Sequence, residues 1–387
     1  MDTNIIQVLA VSIATFGVVY ITIPLLIKVA YLKDLYDKPD GERKLHTRFV
    51  PTLGGIAIFL AFFIGYSITG VASDFGGYPY FSAAMVLLFF TGMKDDLIGL
   101  SAAKKLGVEI IAGLLLIFGT NTYIGNFHGM LGIHELPFIA SIGITLFTMI
   151  VVMNAYNLID GVDGLAGSVG LVASLFFGIG FYLAGSPEMA AMSFILSISL
   201  LGFLVYNFKP ASIFMGDTGS LIVGFLLSVL AIRFIGLNEV PAYTQYFGLS
   251  SPVIPVAILI VPLYDTIRVF YRRAKRKTSP FLPGNDHIHH ELMRIGLGHA
   301  GVTIMLSAYT IIITTLAASI SSMNPHVILG VVLITSILMF PTNGTKRMIL
   351  SKIGLKFEFG PNNVDDIHIK SKAEKQEDLK TTSEPVS

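Results

Sequence analysis

Long apolar segments constrain this chain more than any other feature of its sequence. A helix needs about 20 mostly apolar residues to cross the hydrocarbon of a membrane. Only 13% of the 387 residues are charged, against roughly 25% in soluble domains. The sequence therefore predicts an all-α polytopic membrane protein with about eleven transmembrane helices, at residues 5–27, 51–70, 80–93, 106–122, 136–153, 165–184, 189–206, 218–237, 252–271, 300–321 and 325–341.

The basic residues predict the orientation of these spans. Cytoplasmic loops of membrane proteins are rich in Lys and Arg. With the N-terminus outside and the C-terminus inside, 25 of the 26 Lys and Arg residues fall on one face, and only Arg233 lies toward the other. One span more or fewer would scatter them over both faces. We therefore expect an N-out, C-in protein of the plasma (inner) membrane.

Two regions of the chain differ in composition. Residues 1–345 hold all the apolar segments and are expected to form an integral membrane domain. Residues 346–387 are expected to form a cytoplasmic tail, which from about Gly360 is polar, charged and poor in aromatic residues, as disordered segments are. The absence of cysteine excludes a secreted disulfide scaffold.

The polar residues that adjoin the spans gather on the basic face. Acidic residues lie at the inner ends of spans three, five, eight and nine, and three histidines follow span nine. Ionisable residues next to hydrocarbon are costly and usually functional, so an active site is expected at the cytoplasmic rim. The competing interpretation is a cation-coupled secondary transporter, which would place such residues near the bilayer midplane. A purely structural scaffold gives no reason for polar motifs on one face.

Two acidic motifs follow spans three and five. Asp95 and Asp96 stand side by side in M-K-D-D-L, where paired carboxylates hold a hard cation, divide acid and base roles, or merely end a helix. In N-L-I-D-G-V-D-G, Asn157, Asp160 and Asp163 recur at every third residue and would line one side of a helix if this run is helical. The alternative is a set of capping residues in a glycine-rich turn.

Three further motifs complete the set. Asp217 lies in F-M-G-D-T-G-S at the start of span eight, where it would be either an N-cap residue or a metal ligand. Free backbone N–H groups at the start of that helix would favour a phosphate. The run G-N-D-H-I-H-H at 284–290 supplies histidines that would donate to phosphate, and the acids nearby favour Mg²⁺ or Mn²⁺ over zinc. Residues 37–55 offer a membrane anchor or a surface for an anionic headgroup or nucleotide, formed by Arg43, Lys44, His46 and Arg48.

In this order, the five motifs resemble those of the polyprenyl-phosphate N-acetylhexosamine-1-phosphate transferases. The resemblance runs from about Asp37 to His290, through R-K-x-H…P-x-x-G-G, D-D, N-x-x-D-G-x-D-G-L, F-x-G-D-x-G-S and the histidine loop. It implies transfer of a sugar 1-phosphate from a UDP-sugar to a polyprenyl phosphate, with release of UMP and a requirement for Mg²⁺. The family's lysine matches Lys105, with Lys104 one residue away as the alternative.

The resemblance also implies roles, position by position. Asp95 and Asp96 match the aspartate pair implicated in activating the lipid phosphate. Asp160 matches a residue implicated in catalysis or nucleotide binding, and it would be the nucleophile in a two-step route. Asp217 with Asn157 matches the magnesium ligands, for which Mn²⁺ is a substitute. The residues expected to bind substrates are Asp163, Lys105, Asn207, Arg43, His46, His287, His289 and His290.

The histidine loop separates branches of the family. H-I-H-H is similar to the GlcNAc-1-phosphate branch, whereas the phospho-N-acetylmuramoyl-pentapeptide branch, which stays the alternative, typically has three consecutive histidines followed by Phe-Glu. The expected partners are a UDP-N-acetylhexosamine, UDP-GlcNAc by preference, and undecaprenyl phosphate within the membrane lipid. No nucleic acid is expected, and a homodimer is left open. The product would be a lipid-pyrophosphate sugar that initiates a cell-envelope glycan.

Overall fold

The computed structural model describes residues 2–33, 35, 50–239, 252–279, 284, 286–294 and 296–340. Within these ranges, side chains are described for residues 10 to 237 and for those after 251. In these residues the chain is helical, and no strand beyond isolated bridges occurs. The all-α class is confirmed. Arg43 and His46 lie outside the described residues, as does the predicted tail. The chain divides into two compact units, Met1–Ser336 and Ile337–Ser387, and the sites below belong to the first.

Thirteen α-helices occur within the described residues. The first eight are α1 Asp2–Leu32, α2 Gly54–Ile68, α3 Tyr78–Ile98, α4 Ala102–Thr120, α5 Phe138–Leu158, α6 Leu165–Leu183, α7 Pro187–Asn207 and α8 Gly216–Ile235. The remaining five are α9 Ile254–Ile258, α10 Ile260–Lys275, α11 Ile288–Arg294, α12 His299–Ser319 and α13 Pro325–Met339. Each of the eleven predicted segments is therefore largely helical.

Six of the described helices are long and apolar enough to cross a membrane by length and composition. They comprise the Ala10–Leu32 part of α1 and the whole of α5, α6, α7, α8 and α12. The helices α2 and α13 are apolar but only 15 residues long. A polytopic membrane protein is thus confirmed, while the count of eleven spans and their orientation stay predictions.

The predicted ninth span differs from a single helix because it is broken at Leu259, whose φ is −98° and ψ is 18°. Pro262 has no N–H group, so it cannot donate a hydrogen bond to the carbonyl of Ile258. Beyond the break, α10 is amphipathic: one face is buried and charged, and the other exposes Ile267 and Tyr271. The break separates a short buried helix from a helix that carries polar groups to the site.

Helix α8 lies at the centre of the first unit, since every residue from Thr218 to Ile232 is buried. Glycines let its neighbours approach closely. A Cβ atom at Gly55 of α2 would lie 2.1 Å from the backbone N of Gly219, and one at Gly92 of α3 would lie 2.5 Å from the Cα of Thr218. This close packing fixes the first turn of α8 against α2 and α3.

Candidate active site

Four helix ends meet and bring three of the five sequence motifs together with Lys105. Asp95 and Asp96 lie in the last turn of α3, and Lys105 lies in the first turn of α4. Asn157 lies in the last turn of α5 and Asp217 in the first turn of α8. We call the group that forms here the Asp217 cluster, which consists of Asp95, Asp96, Lys105, Asn157, Asp160 and Asp217.

Asp217 is the centre of this cluster. Its Oδ1 accepts hydrogen bonds from the ammonium group of Lys105 and, at 2.6 Å, from the side-chain amide of Asn157. The same amide donates to Ser220 Oγ at 2.7 Å, and Lys105 Nζ lies 3.2 Å from Asp95 Oδ2. The Asp217 side chain is 34% exposed, against 13% for that of Asp95. Asp217 is therefore easier for a ligand to reach than Asp95.

Asp96 caps the first turn of α8 from a different helix. Its Oδ1 accepts the N–H of Asp217 at 2.7 Å, and its Oδ2 accepts the N–H and hydroxyl of Thr218 at 2.9 and 2.5 Å. Asp217 is not the N-cap, because the helix begins at Gly216 and the preceding Met215 makes no side-chain cap. The N–H groups that the sequence offered to a phosphate are thus bonded to a carboxylate of the protein.

Asp160 lies two residues beyond the end of α5, in a turn. The helix ends at Leu158, so the predicted row of three polar side chains on one helix face does not form. The backbone N–H of Gly216 donates to Asp160. Burial, followed by the negative charges of Asp217 and Asp96, raises the pKa of Asp160 to about 7. Near neutral pH this carboxyl group can therefore both hold and release a proton.

Asp163 and Asn207 lie outside the Asp217 cluster and make hydrogen bonds of their own. Asp163 is 6% exposed, lies 3.1 Å from His299 Nδ1 and accepts the N–H of Ala211 at 3.1 Å. Asn207 is also buried, and its Oδ1 accepts the N–H of Gly164 at 3.0 Å. These two side chains brace the loop that carries Asp160, and their predicted part in substrate binding stays a prediction.

The three histidines of the predicted loop lie at the start of α11. His287 and His289 are buried, their rings stack with centroids 5.6 Å apart, and the rings of His289 and His290 are 4.3 Å apart. A Cβ atom at Gly161 would lie 2.9 Å from His289 Nε2, so the histidines contact the loop beside Asp160. Burial and the neighbouring histidines lower the pKa of His289 well below its usual value, which keeps this imidazole neutral.

Charged residues of α10 hold the histidine segment in place. Glu291 pairs with both Arg268 and Arg272, and Asp286 Oδ2 lies 3.3 Å from Arg273 Nε. The sequence motifs assigned no role to these residues. The signal that could have identified them is their helical spacing. At steps of three and four residues, one face of α10 carries Asp265, Arg268 and Arg272.

Asp217 and Asn157 offer oxygen atoms of the kind that Mg²⁺ takes as ligands. No group of three His, Asp or Glu side chains in the described part of the chain is arranged to hold a metal. Asp217 Oδ1 accepts two hydrogen bonds, while its Oδ2 accepts none from the described residues. Mg²⁺ is commonly bound by one or two carboxylates together with water and substrate phosphates. The carboxylate of Asp217 and the side-chain carbonyl oxygen of Asn157 are ligands of this kind.

Comparison with known proteins gives the context of this geometry. The model of glycosyl transferase family 4 matches residues 78–235, which run from α3 to α8 and contain the whole Asp217 cluster. The histidines of α11 lie beyond the match. The segment that the family shares is thus the segment whose helix ends form the cluster.

Three relatives illustrate the similarity over most of the chain. A protein named "probable undecaprenyl-phosphate N-acetylglucosaminyl 1-phosphate transferase" from Bacillus subtilis is 32% identical, over 77% of this chain and 81% of its own. A decaprenyl-phosphate N-acetylglucosaminephosphotransferase from Mycobacterium leprae is also 32% identical, over 76% and 80%. An undecaprenyl-phosphate alpha-N-acetylglucosaminyl 1-phosphate transferase from Yersinia pestis is 29% identical, over 84% and 83%.

The family resemblance drawn from the five motifs is confirmed by these matches. Two relatives exceed 30% identity and are covered over about four fifths of their length. The chain therefore belongs to glycosyl transferase family 4, together with the polyprenyl-phosphate N-acetylglucosamine-1-phosphate transferases.

Proposed function

We propose that this protein transfers GlcNAc 1-phosphate from UDP-GlcNAc to undecaprenyl phosphate, releasing UMP and leaving a lipid-pyrophosphate sugar. The observation that carries the proposal is the Asp217 cluster, which lies entirely within the segment matched by the family. The names of the relatives describe N-acetylglucosamine-1-phosphate transfer to undecaprenyl or decaprenyl phosphate. The product would initiate a cell-envelope glycan.

The cluster supplies only part of the positive charge that a reaction between two anions needs. A nucleotide diphosphate and a lipid phosphate repel each other, so positive charge at the site is the main catalytic requirement. Lys105 supplies one such charge, and it lies between Asp95 and Asp217. Asp217 with Asn157 would hold Mg²⁺, or Mn²⁺ in its place, which when bound neutralises the donor pyrophosphate.

We assign the general base to Asp160. The oxygens of Asp96 are bonded to α8, and those of Asp95 accept the N–H of Leu100 and the ammonium group of Lys105. Asp160, whose pKa is raised to about 7, can take the proton of a lipid phosphate whose own second pKa is roughly 6. Direct catalysis by Asp95 or Asp96 stays the prediction from the sequence.

The bond changes follow from these assignments. A deprotonated oxygen of the lipid phosphate attacks the phosphorus attached to the sugar. The bond from that phosphorus to the bridging oxygen breaks, and UMP leaves with the electron pair. A two-step route would form an aspartyl phosphate on Asp160 first. Exchange of labelled UMP into UDP-GlcNAc without lipid acceptor would support that route, and its absence supports direct attack.

The predicted topology suits these substrates. Undecaprenyl phosphate lies in the membrane, whereas a nucleotide sugar arrives from the cytoplasm. We propose eleven spans in the plasma membrane, N-out and C-in, with the Asp217 cluster on the cytoplasmic side. This proposal is supported by the position of the cluster at helix ends and by the bias of Lys and Arg toward the same face.

A reconstituted assay tests the proposed reaction. Purified protein, Mg²⁺ and undecaprenyl phosphate are incubated with separate UDP-sugars, including UDP-GlcNAc and UDP-N-acetylmuramoyl-pentapeptide, and both UMP and lipid-linked sugar are measured. We expect both products with UDP-GlcNAc. Turnover of the muramoyl donor alone would contradict the assigned sugar, and no product with any donor would contradict the reaction.

A pair of aspartate variants links that activity to the cluster. Asp217→Asn should lower turnover at least about 100-fold, since removal of one electrostatic group from an active site costs this much in other enzymes. Asp74→Asn is the matched control, because Asp74 is an exposed aspartate outside the cluster. Near-normal Mg²⁺-dependent turnover by Asp217→Asn would contradict the metal assignment.

A further inference from the structure

A buried carboxylate of α10 contacts the first histidine of the α11 segment. Asp265 is 2% exposed, and its Oδ2 lies 2.9 Å from His287 Nδ1. Its Oδ1 accepts the backbone N–H of Ile288 at 2.8 Å. One side chain thus fixes both the ring of His287 and the backbone that follows it.

Charged contacts on either side of His287 make this arrangement rigid. The carbonyl oxygen of Asp286 accepts hydrogen bonds from Arg268 and Arg272 at 3.2 and 3.4 Å. On the other side, Glu291 pairs with the same two arginines. The segment is therefore held against α10 before any ligand binds, and His287 is the ring that Asp265 orients within it.

The chemistry of the pair determines which ring nitrogen is free. An ionised carboxylate only accepts hydrogen bonds, so Nδ1 of His287 carries a proton and donates it to Asp265. Nε2 then lies on the far side of the ring, and no described residue bonds to it. In that tautomer Nε2 carries no proton and is a hydrogen-bond acceptor.

His287 is linked by packing to the Asp217 cluster. Its ring stacks on that of His289 at an interplanar angle of 5°, and His289 contacts Gly161, the neighbour of Asp160. An anion bound beside Asp160 would therefore lie near these rings. The other charged or titratable groups around His287 in the described residues are Arg268, Arg272, Asp286, His289, His290 and Glu291.

We propose that Asp265 is a positioning residue that orients His287 so that its Nε2 accepts a hydrogen bond from a hydroxyl or amide N–H of the nucleotide sugar. This inference rests on the proposed function, since it names the group that contacts the donor in that reaction. The hydroxyl groups and the acetamido N–H of UDP-GlcNAc are donors that an unprotonated Nε2 can accept from.

Substitution of Asp265 tests the role of the carboxylate. In Asp265→Asn we expect the KM for UDP-GlcNAc to rise about 10-fold or more, while kcat changes less, because the lost bond is made in the ground state as well as the transition state.

Two substitutions of His287 separate positioning from mere structure, with Asp265 left intact. The amide of Gln can take the place of Nε2, whereas the amide of Asn can take the place of Nδ1 and keep the bond to Asp265. If Nε2 binds the donor, His287→Gln keeps a lower KM than His287→Asn. If His287 only satisfies Asp265, the order reverses. This comparison holds even if Asp265→Asn fails to fold.

A double variant and a control complete the experiment. Because Asp265 acts through His287, adding Asp265→Asn to His287→Asn should raise the KM no further. Asp74→Asn, which removes an exposed aspartate outside this segment, should keep the natural KM. An active natural protein with an unchanged KM in Asp265→Asn, or with His287→Asn better than His287→Gln, would overturn the inference. An inactive natural protein would contradict the proposed function instead.

Discussion

The four aspartates of the Asp217 cluster differ in what occupies their oxygens. Both oxygens of Asp96 bond to the first turn of α8, and those of Asp95 bond to Leu100 and Lys105. Asp160 accepts a backbone N–H, and Asp217 keeps one oxygen without a partner among the described residues. Identical side chains thus take different tasks, because their neighbours decide which oxygen and which proton is available.

The raised pKa of Asp160 predicts how stability depends on pH. Burial and nearby negative charge raise this pKa from 3.8 to about 7 in the folded protein, so folding favours the protonated acid. The stability it contributes is complete below the unfolded pKa and is lost as the pH rises through about 7. Between pH 5 and 8 this amounts to roughly 2–3 kcal/mol.

Thermal unfolding in EDTA measures this dependence. We expect the Tm of the natural protein to fall between pH 5 and 8 relative to that of Asp160→Asn, whose side chain cannot ionise. The comparison removes the contributions of other groups, such as His289, that titrate identically in both proteins. Parallel Tm curves for the two proteins would contradict the assigned pKa.

At the scale of elements, the capping of α8 by Asp96 predicts a loss of stability. Asp96→Ala would leave two backbone N–H groups and the hydroxyl of Thr218 without their acceptor. An unsatisfied buried donor costs about 1–3 kcal/mol, so the Tm should fall by several degrees and activity should fall with it.

Measuring Tm and turnover together distinguishes a capping role of Asp96 from a role as catalytic base. If Asp96 acts only as a base, Asp96→Asn abolishes turnover while the Tm stays unchanged. Asp74→Asn, which removes an exposed aspartate elsewhere, should change neither quantity. A cap predicts that Tm and activity decline together from Asp96→Asn to Asp96→Ala, because Asn still offers one acceptor.

Sequence patterns predicted the elements well because their signals are local. Apolar runs and the motif residues at helix ends are visible within about 20 residues, so all eleven helical segments and the positions of Asp95, Lys105 and Asp217 could be placed. Hydropathy averages over such a window, and it therefore concealed the break at Leu259. A span prediction from hydropathy reads the short α9 and the amphipathic α10 as one helix.

The pairings within the site could not be predicted in the same way. Asp96 lies 121 residues from its partner Asp217, and Asp163 lies 136 residues from His299. Nothing in a single sequence states which acid meets which helix end, because the meeting depends on how the helices pack. The importance of Asp265 was easier to predict, because an acidic residue within an apolar predicted span is visible in the sequence.

At the scale of the whole molecule, the predicted topology can be tested with introduced thiols, because the chain has no cysteine. Ser73 and Ser101 are exposed and lie in loops that the eleven-span topology places outside and inside. A membrane-impermeant maleimide applied to intact cells should label Ser73→Cys at once. Ser101→Cys should react only after the membrane is permeabilised, and the opposite pattern would contradict the orientation.

The proposed reaction moves a sugar together with its phosphate to a lipid phosphate at the Asp217 cluster. UDP-GlcNAc labelled with ³²P at the phosphorus attached to the sugar follows that phosphate directly. With purified protein, Mg²⁺ and undecaprenyl phosphate, we predict that the label enters the lipid fraction, and that Asp217→Asn prevents this. The proposed reaction would be contradicted if all of the label stayed in water-soluble nucleotide, whether or not GlcNAc reached the lipid.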